Sequence, residues 1–240
     1  MTTSLRAGAV AVAATAIALA LAGCGGSDSS GAASSQEKTT SSSVAPASTS
    51  AEAGPPSAAP GPAPQAGPAY TIVDYIRDNN ITETPIKAGT PGAPTVELPV
   101  PPGWADAGDQ TPEWAYRAMI LTDPAAAANP PTITAIMSKL TGNVDPAEVL
   151  KAAPGEIRNL PGYENMGDGK ATQLSGFAAY QIGGAYTKDG VKRLVAQKTV
   201  VIPTADAVYV MQINAEGTED HIGPLMDATA AIDDQTTITA

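Results

Sequence analysis

Histidine, cysteine and phenylalanine each occur once in 240 residues, and lysine and arginine together only 13 times. With one histidine, His221, a His-rich zinc site is excluded, and a Ser-His-Asp hydrolase would have to use that residue with a distant serine. No Gly-x-Ser-x-Gly elbow nominates a nucleophile for such a triad, so His221, beside Glu219 and Asp220, reads as a solvated or capping residue at a helix entrance. The pairs Glu219-Asp220 and Asp233-Asp234 lack the Asp-x-Asp-x-Asp-Gly pattern of a calcium loop and read as solvated helix ends. Gly167-Asp168-Gly169 and Gly183-Gly184 are too short for a phosphate loop and are expected to be a turn and a strand kink. No cofactor or metal motif is present. From Tyr70 onward 11 Lys and Arg face 21 Asp and Glu, a net charge of −10, which argues against a nucleic-acid or anionic-membrane surface.

The lone cysteine stands at a telling place. Arg6 supplies a short positive region and Ala7 to Leu21 is an apolar and small-residue run, the pattern of a cleaved secretory signal over residues 1–23. The run is too short to remain as a membrane span. Leu21-Ala22-Gly23-Cys24 resembles a bacterial lipobox, which makes Cys24 the expected lipidation site, thioether-linked to a diacylglycerol, and places the protein on the outer face of the cell membrane. The alternative is an ordinary signal peptide ending near a cysteine. Residues 24–69 are almost entirely Ser, Ala, Pro, Gly and Thr, with Val44 the only large aliphatic side chain, so they are expected to form a lipidated, disordered tether with an r.m.s. span of roughly 35–40 Å. Its Ser, Thr and Pro clusters permit O-linked sugars.

Residues 70–240 read as one domain with no internal repeat, large enough to bury roughly 70% of its unfolded surface. It contains no cysteine, so its stability must come from its core. Thr71, with Asp74 three positions on, is an N-cap signature, and Ile72, Tyr75 and Ile76 share a helical face before Asn79-Asn80. Pro85 to Gly108 is so rich in proline and glycine that only a short edge strand fits, near Thr95 to Leu98. Trp114 to Leu121 and Thr132 to Leu140 read as strands. Asp145-Pro146-Ala147-Glu148 opens a helix over 146–153, with Glu148 placed to reach back to the cap and a further turn running to Leu160. Phe177 to Thr187, Val191 to Ile202 and Ala207 to Asn214 form a meander turned at Asp189-Gly190 and Pro203 to Asp206. A last helix over Ile222 to Asp234 is expected to turn Leu225, Met226, Thr229 and Ile232 to the sheet. The fold class is therefore α+β, an antiparallel twisted sheet covered by helices.

Four segments carry a resemblance: Tyr70-Thr71-Ile72-Val73-Asp74-Tyr75-Ile76, Pro99-Val100-Pro101-Pro102-Gly103-Trp104, Ser138 to Pro146 and Asn159-Leu160-Pro161-Gly162-Tyr163. Together they resemble the LpqN/LpqT group of mycobacterial and related actinobacterial lipoproteins. The resemblance implies a Mog1/PsbP-like sheet sandwiched by helices, and a non-enzymatic envelope lipoprotein associated with lipid transport and secreted mycolyltransferases. It brings no catalytic residues. Two functional classes follow: a tethered module that binds a lipid or glycolipid or docks on an envelope transporter or mycolyltransferase, and a hydrolase or transferase of envelope lipids. A pure protein-interaction domain without ligand is a third. Trp104 and Trp114 are candidate groove-lining residues, with core or edge packing as their default use, and Tyr180 and Tyr186, on one strand face, are further tentative ligand-binding residues. The acidic charge favours a neutral glycolipid over an anionic one, with at least one indole within reach of its groove.

Overall fold

The computed structural model describes residues 68–240; the signal segment, Cys24 and all but the last two residues of the tether lie outside the described residues. The chain enters through α1 (Ile72–Asp78), and the expected capping box is there: the Asp74 N–H donates to Thr71 Oγ1 at 3.1 Å and the Thr71 N–H donates back to Asp74 Oδ2 at 3.0 Å. Two donors that a helix start leaves orphaned are thereby satisfied. Next come β1 (Thr82–Ile86), β2 (Thr95–Glu97), β3 (Trp104–Asp106), β4 (Arg117–Leu121) and β5 (Thr132–Thr141). Then α2 (Pro146–Ala152) and α3 (Gly155–Arg158) precede β6 (Glu164–Asn165), β7 (Lys170–Leu174), β8 (Phe177–Lys188), β9 (Val191–Pro203) and β10 (Val208–Gly217). The described chain ends in α4 (Ile222–Gln235) and β11 (Thr237–Thr239).

Among the described residues nine strands form one antiparallel sheet with the path β3-β4-β5-β10-β9-β8-β6; β1 also pairs with β5 and β7 with β8. The β8-β9-β10 meander is its centre, turned at Asp189-Gly190 as expected. One edge of β5 is shared: β4 takes Thr132 to Ala135 and β1 takes Met137 to Thr141. Pro85 sits in β1, which has no further neighbour to demand its missing N–H. The short strand expected near residues 95–98 is found, paired with β11 in a separate two-stranded ribbon.

Side chains alternate between the two faces of the sheet, and each face has its own cover. On one face Ile133, Met137, Val200, Ile202, Met211 and Ile213 pack with Leu225, Ala228 and Ile232 of α4 and with Val96 and Ile238 of the ribbon. On the other, Leu140, Val201, Val208 and Val210 pack under α1 and α2, while Ile182, Tyr186 and Val195 pack under Ile157 of α3. A helix-sandwiched antiparallel α+β sheet is thus the observed architecture.

Three local details differ from the sequence reading. Glu148 does not reach back to its cap; the Asp145 N–H donates instead to the Tyr75 hydroxyl at 2.8 Å, and Glu148 pairs with Lys151. The Asp145 carboxylate still caps α2, accepting from the Ala147 N–H at 2.8 Å. Trp114 precedes β4, because Pro112 to Ala115 form a turn closed by the Ala115 N–H on the Pro112 carbonyl at 2.9 Å. Gly183 and Gly184 make no kink, since pairing with Ala196 and Val195 of β9 runs through both.

Candidate functional site

What the two glycines provide is clearance, one on each face. A Cβ at Gly184 would stand 2.3 Å from the Tyr163 ring and 2.5 Å from the Glu164 carbonyl oxygen, so glycine lets β6 and its tyrosine close on the α3 face. Gly183, its neighbour, faces α4 and leaves that side of β8 without a side chain. There α4 does not close on the sheet: Leu225 packs toward Gly217 and Pro131, and Ala228 and Ile232 are buried, holding the helix over β10. The space left beside β8 is a groove of about 480 Å³.

The groove has an apolar end and a polar end. Its floor is Gly183, Leu194, Ala196 and Ala215; one wall is α4 and the other is the chain from Met166 to Lys170. Strand register orders these residues. Asn165 pairs with Gly184 and Lys170 with Gln181, so the Met166 side of the wall lies toward Leu194 and Ile222, and the Lys170 side toward Gln181. Met166, Ile222 and Met226 rim the apolar end and are exposed. At the other end Gln181, Thr229 and Asp233 meet Lys198, whose buried ammonium is paired with the Asp233 carboxylate.

The four aromatic residues singled out in the sequence lie elsewhere. Trp104 is buried in the core opposite Leu121, and its backbone N–H closes the turn on the Pro101 carbonyl at 3.0 Å. Trp114 is 63% exposed on its turn. Tyr180 and Tyr186 come together in the cluster under α3, on the opposite face of the sheet. None of the four lines this groove. Tyr186 sits near Arg193 and Glu216; burial first, then the hydrogen bond to Glu216, pushes its phenol up to about 12. Met226, expected to pack on the sheet, instead stands at the rim, 64% exposed.

A second polar cluster lies between α3 and the sheet. Gln212 donates to Glu156 Oε2 at 2.7 Å and Gln197 to Asn214 Oδ1 at 2.9 Å, with both glutamines buried. Burial raises the Glu156 carboxyl above its ordinary range, the hydrogen bonds from Gln212 and Gln197 work against that rise, and the Glu83 charge adds to it. His221 is held at the entrance of α4 with its Nδ1 2.8 Å from Thr218 Oγ1. Among the described residues no three His, Cys, Asp or Glu side chains gather as metal ligands, and no helix is long and apolar enough to cross a membrane.

The groove's lining was largely invisible in the sequence. Met166, Leu194 and Ile222 come from the bend after β6, from β9 and from α4, with no common motif. The one legible signal was Gly183-Gly184 inside an otherwise well-formed strand, which marks close approach or missing floor as readily as a bend.

Fold and groove together define a helix-sandwiched α+β domain with an open cleft beside its last long helix. The chain belongs to the LpqN lipoprotein family: the family described as "Probable lipoprotein LpqN" matches residues 68–239. It is 55% identical over 174 residues to lipoprotein LpqN of Mycobacterium tuberculosis strain H37Rv, covering 72% of this chain and 76% of that protein. A putative lipoprotein LpqT of Mycobacterium leprae is 27% identical over 135 residues, covering 55% of this chain and 58% of its own length. Among solved structures, that of LpqN "involved in cell envelope biogenesis of Mycobacterium tuberculosis" aligns with a TM-score of 0.68 at 55% identity, covering 72% of this chain and all of that one.

Proposed function

We propose that this protein is an accessory lipoprotein of cell-envelope biogenesis, anchored through Cys24 at the outer face of the membrane, whose domain holds the acyl chain of a neutral glycolipid in the groove beside α4. The observation that carries the reading is the separation within that groove: an apolar floor and rim at one end, and Gln181, Thr229 and Asp233 at the other. Such a layout suits an amphiphile, whose chain is desolvated while its hydroxyls find donors and acceptors. The volume lies within the range of about 300–1,000 Å³ usual for small-molecule sites. The net charge of −10 from Tyr70 onward disfavours an anionic headgroup. The relative described as involved in cell envelope biogenesis supports the setting.

The test is thermodynamic. Decyl glucoside, titrated below its critical micelle concentration, should raise the unfolding midpoint, by about 2.7 kcal/mol of stability at a hundredfold excess over its Kd. Tryptophan emission is the wrong readout, since neither indole lines the groove. Ala230→Glu, on the exposed groove side of α4, should abolish the shift without unfolding the domain. No stabilisation by any neutral glycolipid, together with stoichiometric capture of a mycolyltransferase or transporter, would replace this reading with protein docking. For the anchor, Cys24→Ala should move the protein from the membrane fraction to the soluble envelope fraction.

A further inference from the structure

The methionines of the described domain fall into two groups. Met119, Met137 and Met211 are buried in the core at 0%, 2% and 0% exposure. Met166 and Met226 are exposed by 57% and 64%, and both line the groove, one from each wall. Two exposed thioethers therefore line one cleft, while every other methionine of the described domain is shielded. Susceptibility of methionine to oxidation follows exposure, so the two rim sulfurs should react well before the other three.

We propose that Met166 and Met226 form an oxidation site that closes the groove to acyl chains; this rests on the acyl-holding reading above. The co-reactant is a two-electron oxidant of the peroxide class. A thioether lone pair attacks one peroxide oxygen, an S–O bond forms, the O–O bond breaks, and the second oxygen leaves with both protons as water. Sulfur loses two electrons and the peroxide gains them. The product is a sulfoxide, a strong acceptor where an apolar surface stood. The neighbours at that end, Leu194, Ala215 and Ile222, carry no side-chain donor, while the donors of Lys170 and Gln181 are at the other end. Covering a sulfoxide with an acyl chain there strips it of water with no side-chain donor to replace it, an effect worth roughly tenfold in affinity for each sulfoxide covered. The step is reversible by methionine sulfoxide reductases, so the rim is a switch rather than a lesion.

The experiment treats the full chain with graded hydrogen peroxide, locates added oxygen by peptide mass analysis, and measures binding of fluorophore-tagged decyl glucoside. Expected are oxygen at Met166 and Met226 with Met119, Met137 and Met211 unmodified, an unchanged unfolding midpoint, and affinity reduced roughly tenfold or more. The double variant Met166→Leu, Met226→Leu, whatever its starting affinity, should show the same affinity before and after the treatment, and sulfoxide reductase should restore binding to the oxidised parent. Oxidation of both rim methionines with no loss of affinity overturns the proposal, as does equal reactivity of the core methionines in the folded protein. If the reduced chain takes up no probe at all, the acyl-holding reading itself has failed and the gate falls with it.

Discussion

Gly184 and Tyr163 are in contact across the α3 face of the sheet: an added Cβ on the glycine would lie 2.3 Å from Tyr163 Cε2. The Tyr163 hydroxyl donates to the Gly183 carbonyl at 3.0 Å, so ring and strand are fixed together and β6 with them. Gly184→Ala should force them apart and destabilise the domain by about 1–3 kcal/mol, read as a lower urea midpoint. Gly183→Ala, whose nearest neighbour is the Val195 carbonyl oxygen at 3.3 Å, should cost less while narrowing the groove. Equal costs at the two positions would contradict this assignment of one glycine to each face.

Lys198 and Asp233 are the charged link between sheet and α4, and they are unequally exposed, at 8% and 35% of their side chains. Removing the carboxylate strands a buried ammonium, whereas removing the ammonium leaves a carboxylate that water can reach. Asp233→Ala is therefore expected to cost about 1–3 kcal/mol and Lys198→Met less, in paired denaturant melts. The opposite order would mean that Lys198 finds another partner.

The Glu156 carboxyl is held above its ordinary range chiefly by burial. The folded state thus binds that proton more tightly than the unfolded chain. Its stabilisation is present below the ordinary glutamate range and is lost as pH rises through the raised value. Glu156→Gln removes this dependence, so its stability relative to the parent should be greatest near neutrality and shrink as pH falls from the raised value to the ordinary glutamate value. Urea midpoints across that range decide it; a difference independent of pH would show that burial of Glu156 does not govern its ionisation.

Tyr75 ties the first helix to the second through its hydroxyl, which accepts the Asp145 N–H. Tyr75→Phe keeps the ring in the core and deletes only that acceptor. A loss of about 1 kcal/mol is expected, carried by the α1–α2 contact, with faster amide exchange at Asp145. Unaltered exchange at Asp145 would count against the bond.

Much of the fold was legible because it is governed by short-range chemistry. The Thr71–Asp74 box, the Asp145-Pro146 start, the Asp189-Gly190 turn and the alternation through Tyr209, Met211 and Ile213 each rest on residues a few positions apart, and all four were read correctly. The strands that escaped notice had no local signal. β1 contains Pro85, β3 and β11 are three residues long, and β7 carries only Leu174 to the core; β1, β3 and β7 are strands because a longer neighbour pairs with each, and β11 because the equally short β2 does.

By itself the sequence determined the family signature, the lipobox pattern at Cys24, the acidic charge, the caps and turns, and an α+β domain built on a meander. The tertiary structure alone decided where α4 stops short of the sheet. Its 3.6-residue pattern assigns Leu225, Met226 and Ile232 to one broad face, yet Leu225 and Ile232 are buried while Met226 is left at a rim. That outcome depends on Gly217, Pro131 and Gly183, which are distant in sequence and set how closely helix and strand approach. A groove is the space that packing leaves unfilled, and its residues need share nothing along the chain.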